Sequence, residues 1–132
     1  MLLNVYFTSS WFVVNTTRTL KPYRITLQQY NVLRILRGQQ SKPASVGLIQ
    51  ERMLDKSSNA SRLIDKLVLK KLAERKTSPS DRRQMEIRIT AKGLEVLSEI
   101  DSILDQNDNA MSKLISQNEA EMVSDIIDKI RG

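Results

Sequence analysis

"SSNASRLIDKLVLKKLAERKTSPSDRRQMEIRIT", residues 57–90, changes its hydrophobic period halfway along. Ala60, Leu63, Ile64 and Leu67 recur at i, i+3, i+4 and i+7, the pattern of one helical face. Asn59, Ser61, Arg62, Asp65, Lys66 and Lys70 occupy the other face. From Met85 the period drops to two: Met85, Ile87 and Ile89 alternate with Glu86, Arg88 and Thr90, as opposite faces of a strand require. The preceding "LAERKT" (72–77) can pair with that strand across residues 78–84 to give a hairpin. A connection of seven residues exceeds the usual hairpin loop of about 2–5, and it carries Arg82 and Arg83 at its outermost point. A loop that only reversed the chain would need neither the length nor the charge.

Upstream, Thr26 and Gln29 form a capping box that opens a helix with Tyr30, Leu33 and Leu36 on one face, closed at Gly38. "GQQSKPAS" (38–45) is a loop by composition. Ser45 caps a short helix carrying Leu48, Ile49 and Met53. After the break at Asp55 and Lys56, Ser57 or Ser58 is expected to cap the next helix. At the N-terminus Leu3, Phe7, Trp11 and Val14 recur at helical spacing until Pro22 stops them. Beyond the hairpin Thr90 caps a helix with Leu97, Ile100 and Leu104 in one stripe, continued by Met111, Leu114 and Ile115. Ser116 and Glu119 form a second capping box, before Val123, Ile126, Ile127 and Ile130.

A chain of 132 residues is expected to hold one ordinary domain. It contains no cysteine and no histidine, which removes thiol chemistry, the commonest general base and the commonest metal ligand. No enzyme, metal or cofactor is expected. A hydrolase built on Asp101 and Asp105 has no histidine or cysteine to partner them. The first 21 residues lack a positive n-region and are interrupted by Asn4, Thr8, Ser9, Ser10 and Asn15. Neither a membrane span nor an export signal is expected, so the default location is the cytoplasm.

Charge is segregated along the chain. Residues 1–51 carry six basic side chains and one acidic; residues 52–93 carry twelve against five; residues 94–132 carry three against nine. A basic body with an acidic end suggests a polyanion-binding surface kept apart from a part with another task. Two short helices followed by a hairpin read as a winged helix-turn-helix. The fold class is therefore mainly α with a small β-hairpin: residues 26–93 form the DNA-binding domain, and 1–25 with 94–132 form a helical dimerisation region. A helix about 10–12 Å across fits the major groove, and a hairpin beside it can reach the neighbouring minor groove, where narrow A·T-rich tracts attract arginine.

"ITLQQYNVLRIL", "SSNASRLIDKL", "LAERK" and "SPSDRRQMEIRITAKG" resemble successive blocks of the MarR (multiple antibiotic resistance regulator) family, in order and spacing, between Ile25 and Gly93. The most specific part is the Asp-x-Arg of the wing, Asp81 and Arg83, followed by Thr90 and Gly93. The resemblance implies a dimeric bacterial or archaeal transcription regulator on the nucleoid of a prokaryote, usually a repressor released by a small-molecule effector, that meets a palindromic double-stranded operator. By position it places Ser57, Ser58, Asn59, Ser61, Arg62 and Lys66 at the major groove, and Arg82, Arg83 and Arg88 on the wing. Asp65 would orient nearby basic side chains and Asp81 would brace Arg83. Trp11, Tyr23 and Tyr30 are candidates for an effector pocket. Each has a plainer reading: core aromatics, capping serines, an Arg62–Asp65 ion pair, or a solvated charge pair at Arg82 and Arg83; for the whole chain the alternative is a winged-helix module that binds protein without specific DNA binding. The chain departs from the family in one place. Lys71 stands where glycine usually follows the basic helix, and a left-handed lysine costs roughly 1 kcal/mol more than glycine.

Overall fold

In the computed structural model, which describes residues 1–132, the local signals become element ends one by one. α1, Leu2–Leu20, gives way to a 3₁₀ turn at Lys21–Tyr23 containing Pro22, whose missing N–H suits the start of such a turn. Arg24 follows in the left-handed region. α2, Leu27–Gly38, opens on the expected box: Thr26 Oγ1 accepts from Gln29 N–H at 3.1 Å, and Gln29 Oε1 accepts from Thr26 N–H at 3.2 Å. α2 does end at Gly38, yet the left-handed residues that turn the chain are Gln40 and Ser41. α3, Val46–Arg52, is capped by Ser45, which accepts from Leu48 N–H.

α4, Ala60–Leu69, corrects one expectation. Its cap is Asn59, whose Oδ1 accepts from Arg62 N–H at 3.2 Å, and neither Ser57 nor Ser58. Ser57 is committed elsewhere, since its N–H and hydroxyl both donate to Asp55 Oδ1, at 2.9 and 2.6 Å.

β1, Ala73–Thr77, and β2, Met85–Ile89, pair antiparallel, with Ala73 opposite Ile89 and Thr77 opposite Met85. Ile87 also exchanges two backbone hydrogen bonds with Ala44, of 2.9 and 2.8 Å. β2 thus runs between β1 and the loop that precedes α3, which fastens the hairpin to the helices. Helix, helix, basic helix and hairpin in this order make a winged helix-turn-helix.

The join between α4 and β1 is where the departure at Lys71 is resolved. Leu72 N–H reaches back to Leu67 C=O and Lys71 N–H to Val68 C=O, both at 3.0 Å, the double bond of a Schellman ending. Lys71 takes the left-handed conformation (φ 60°) that glycine would occupy. The helix therefore stops at Lys71 as it would at a glycine. α5, Ala91–Met111, then locks onto that turn. Thr90 Oγ1 accepts from Gly93 N–H at 3.0 Å and donates to Lys71 C=O at 2.7 Å, while Thr90 N–H donates to Leu72 C=O at 3.1 Å.

The chain divides into two compact units, residues 1–100 and 101–132. In the first, Leu20, Leu33, Ile49, Ile64, Leu67, Ile87, Leu97 and Ile100 are fully buried, so every helix from α1 to α5 contributes to one core. The second holds the remainder of α5 and α6, Gln117–Arg131, capped by the reciprocal bonds of Ser116 and Glu119. No residue of α6 is buried.

Candidate nucleic-acid interface

The amphipathic pattern of α4 sorts its side chains. Ala60, Ile64 and Leu67 go into the core, which leaves Ser61, Arg62, Asp65, Lys66 and Leu69 exposed. Asn59 is also exposed but spends its carbonyl oxygen on the cap. Ser58 is turned inward: its carbonyl accepts from Gln50 Nε2 at 2.9 Å, and its hydroxyl is buried without a partner. Ser57 is exposed but bound to Asp55, whose carboxyl those hydrogen bonds hold below the usual range. Of the serines expected at the groove, Ser61 alone points outward without such a commitment in the turn.

Asp65 does not pair with Arg62. Its partner is Arg75 of β1, in an ion pair that ties the exposed face of α4 to the hairpin. Both side chains remain substantially solvated, so the pair fixes orientation more than it stabilises the fold. Arg75 was not singled out from the sequence, because its partner lies ten residues away across a helix-to-strand change of direction. Lys70 is a second such residue. Its ammonium donates to Gln29 Oε1 at 2.9 Å and to the Arg24 carbonyl, joining the end of α4 to the start of α2. Desolvation, with Lys66 nearby, pulls its pKa down.

The seven-residue loop at the hairpin tip is built rather than slack. Ser78 N–H donates to Gln84 C=O at 2.9 Å, which extends the ladder by one step beyond β1 and β2. Ser78 is buried, and its hydroxyl lies 3.0 Å from that of Ser80. Asp81 Oδ1 accepts from Arg83 N–H at 2.9 Å, and Asp81 C=O accepts from Gln84 N–H at 3.0 Å. Asp81 thus holds the backbone of Arg83 while both arginine side chains, Arg82 and Arg83, stand exposed. Arg88 is placed differently from the other wing cations. It is half-buried at the base of the hairpin, with Nη1 donating to Ser41 C=O at 2.6 Å and Glu86 3.7 Å from Nη2.

The three aromatics do not share one environment. Tyr30 is buried in the core with the Arg34 guanidinium 5.8 Å from its ring centre. Tyr23 has its hydroxyl pushed up in pKa, first by burial and then by Glu99. Trp11 is 56% exposed and packs edge-on against Phe12. No group of three or more Asp or Glu side chains gathers where it could hold a metal ion.

Residues 25–84 match the sequence profile of the MarR family. The HTH-type transcriptional regulator MhqR of Bacillus subtilis is 29% identical over 102 residues, 77% of this chain and 69% of that protein. Among solved structures, BpsR of Bordetella bronchiseptica superposes with a TM-score of 0.82 at 18% identity, covering 99% of this chain and 92% of that one. MepR of S. aureus in its DNA-binding conformation gives 0.79 at 21%, covering 98% and 96%. At these identities the two superpositions speak for the fold.

Proposed function

Residues 25–84 carry the MarR-family profile, and we propose that this chain is a DNA-binding transcription regulator of that family, that it binds a palindromic operator as a homodimer and that it represses its own or neighbouring genes. α4 enters the major groove through Ser61, Arg62 and Lys66, and the hairpin tip carries Arg83, with Arg82 beside it, into the adjoining minor groove. The observation that carries this reading is the pairing of two exposed basic features on one rigid frame: the outer face of α4, and a loop whose backbone Asp81 fixes at Arg83. Asp65 and Arg75 hold the two in register.

Dimerisation is supported by apolar surface that the single chain leaves uncovered. α1 exposes Leu3, Phe7, Trp11 and Val14, and α6 exposes Val123, Ile126, Ile127 and Ile130. An uncovered apolar stripe on each helix marks an interaction surface. The terminal segments 1–25 and 94–132 are accordingly assigned to the dimer, and 26–93 to DNA. The BpsR structure concerns regulation of DNA binding by 6-hydroxynicotinic acid, which supports a small-molecule effector here as well. No helix is long and apolar enough to cross a membrane, in keeping with a regulator that works on the nucleoid in the cytoplasm.

The test is fluorescence anisotropy on duplexes from the DNA upstream of the gene. Wild-type protein selects a palindrome with half-sites about one helical turn apart. Arg83→Ala weakens that binding by about 1–3 kcal/mol and lowers the salt dependence by about one counterion. Unchanged operator affinity in Arg83→Ala refutes the wing assignment, and equal affinity for random duplex refutes the specific regulator.

A further inference from the structure

By its place in the period of α4, Lys70 belongs with Arg62 and Lys66 on the polar face, yet the fold sends its side chain elsewhere. Lys70 is half-buried, whereas Arg62 and Lys66 are exposed. Its ammonium donates to Gln29 Oε1 at 2.9 Å and to the Arg24 carbonyl, groups 41 and 46 residues away in the chain. An ammonium has three donors and no acceptor. With two of them spent inside the protein, Lys70 is poorly placed to serve a phosphate.

Both acceptors belong to the joint between α1 and α2. Gln29 is 2% exposed, and its Oε1 also accepts from Thr26 N–H, the cap of α2. Arg24 is the left-handed residue (φ 55°) that leads from the 3₁₀ turn after α1 into α2. Such backbone is costly outside glycine and persists where its surroundings hold it. The main chain of Lys70 is engaged as well: its N–H closes α4, and Lys92 Nζ, in the first turn of α5, donates to its carbonyl at 3.4 Å. One residue thus ties the end of the basic helix to the start of α2, to α5 and to the turn that leads back to α1.

We propose that Lys70 is a positioning residue for operator recognition: without touching DNA, it fixes the angle between α4 and the α1–α2 joint, and so the spacing of the two basic helices in a dimer. The inference rests on the dimeric regulator reading above, in which the exposed apolar stripe of α1 meets the partner. One base pair advances a site by about 3.4 Å and turns it by roughly 35°. A dimer therefore selects one half-site spacing only if each α4 is held firmly relative to its own α1. Engaging both half-sites at once supplies avidity, which is lost where geometry forbids the second contact. Lys66, one turn earlier and exposed, is the contrasting cation: it meets the DNA, and Lys70 sets where it stands.

The experiment measures fluorescence anisotropy of the full chain on the palindrome, on the same palindrome with its spacer lengthened or shortened by about two base pairs, and on a duplex with a single half-site. Lys70→Met keeps the aliphatic stem and removes the ammonium. It is expected to weaken the palindrome about tenfold, to leave the single half-site within about twofold of wild type, and to flatten the spacing preference. Its salt dependence stays that of wild type, whereas Lys66→Met lowers the log–log slope by about 0.9. Lys70→Arg, which still donates to both acceptors, keeps the spacing preference. Lys70→Gln repeats the measurement should the methionine variant melt below the assay temperature. A slope lowered as in Lys66→Met would make Lys70 a phosphate contact, and equal losses on palindrome and half-site would make it a matter of fold stability. Either result, or a wild-type spacing preference in the variant, overturns the proposal while the regulator reading stands. Wild-type protein indifferent to palindrome and spacing alike overturns both.

Discussion

Replacing Gly93 by alanine tests how tightly the hairpin base and α5 are joined. A Cβ at Gly93 would lie 2.2 Å from Leu72 O, 2.7 Å from Ile89 Cγ1 and 3.2 Å from Leu72 C. The first contact is with backbone, so no rotamer change relieves it. Leu72 O cannot simply retreat, because it accepts from Thr90 N–H at 3.1 Å, and the neighbouring Lys71 carbonyl is held by the Thr90 hydroxyl. The turn at residues 71–72 and the start of α5 must therefore part to admit the methyl group. Overpacking of a tight site costs about 1–3 kcal/mol, here at the upper end. Alanine recovers about 1 kcal/mol of helix propensity, for a net loss of about 2 kcal/mol. For a chain of this length that lowers Tm by about 6–10 °C. Circular dichroism melts at fixed protein concentration measure it. Gly38→Ala is the control, since nothing lies within 4 Å of its Cβ, and it is expected to be neutral or mildly stabilising. A Tm for Gly93→Ala equal to that of Gly38→Ala would refute the close-approach argument.

Lys71→Gly removes the left-handed lysine while leaving both bonds of the helix ending, and raises stability by up to about 1 kcal/mol in urea titration; a loss would mean that the lysine side chain itself holds the turn. Ile126→Glu places charge on the apolar stripe of α6 and shifts the protein from dimer to monomer in sedimentation velocity, whereas an unchanged sedimentation coefficient would remove that stripe from the interface. Glu119 has its carboxyl pKa lowered by the Ser116 N–H and then by the Ser116 hydroxyl. Its capping contribution is therefore complete above the ordinary glutamate pKa of about 4.3 and is lost as pH falls through the lowered folded value. The helicity of α6 should fray on that acid limb, and Glu119→Gln should abolish the pH dependence; an identical acid profile in the variant would count against the cap.

Most of the fold could be read locally, because caps and periods are local. Thr26 with Gln29, Ser45, Thr90 and Ser116 with Glu119 all act where the residue types suggested. The cap of α4 was not legible in the same way, because Ser57, Ser58 and Asn59 are all competent caps, and what decides among them is Asp55 capturing Ser57 first. The wing was legible from its alternation and loop length, but its attachment was not. The bridge from Ala44 to Ile87, the Asp65–Arg75 pair and the reach of Lys70 to Gln29 each join different elements, with no periodic signal to announce them. The role of Arg88 shifted for the same reason, since Ser41 lies 47 residues from it. The Thr90–Gly93 signal was visible as a motif, and the structure supplies its cause in the carbonyls of Lys71 and Leu72.

The placement of β2 between β1 and Ala44 has a consequence for how the protein behaves in a crowded solution. β2 meets Ala44 on its far edge at Ile87, whereas the far edge of β1 has neither strand nor bridge against it. Open edges invite strands from other molecules, and charged side chains, lysine above all, are the usual deterrent. β1 carries Glu74, Arg75 and Lys76 in succession, and Arg75 is drawn across to α4 by Asp65. The strand that would be the seed of an aggregate is thereby the most highly charged in the sheet. A second copy of the chain that tried to pair along β1 would set these charges against their own kind, which keeps it from zipping onto the sheet's side.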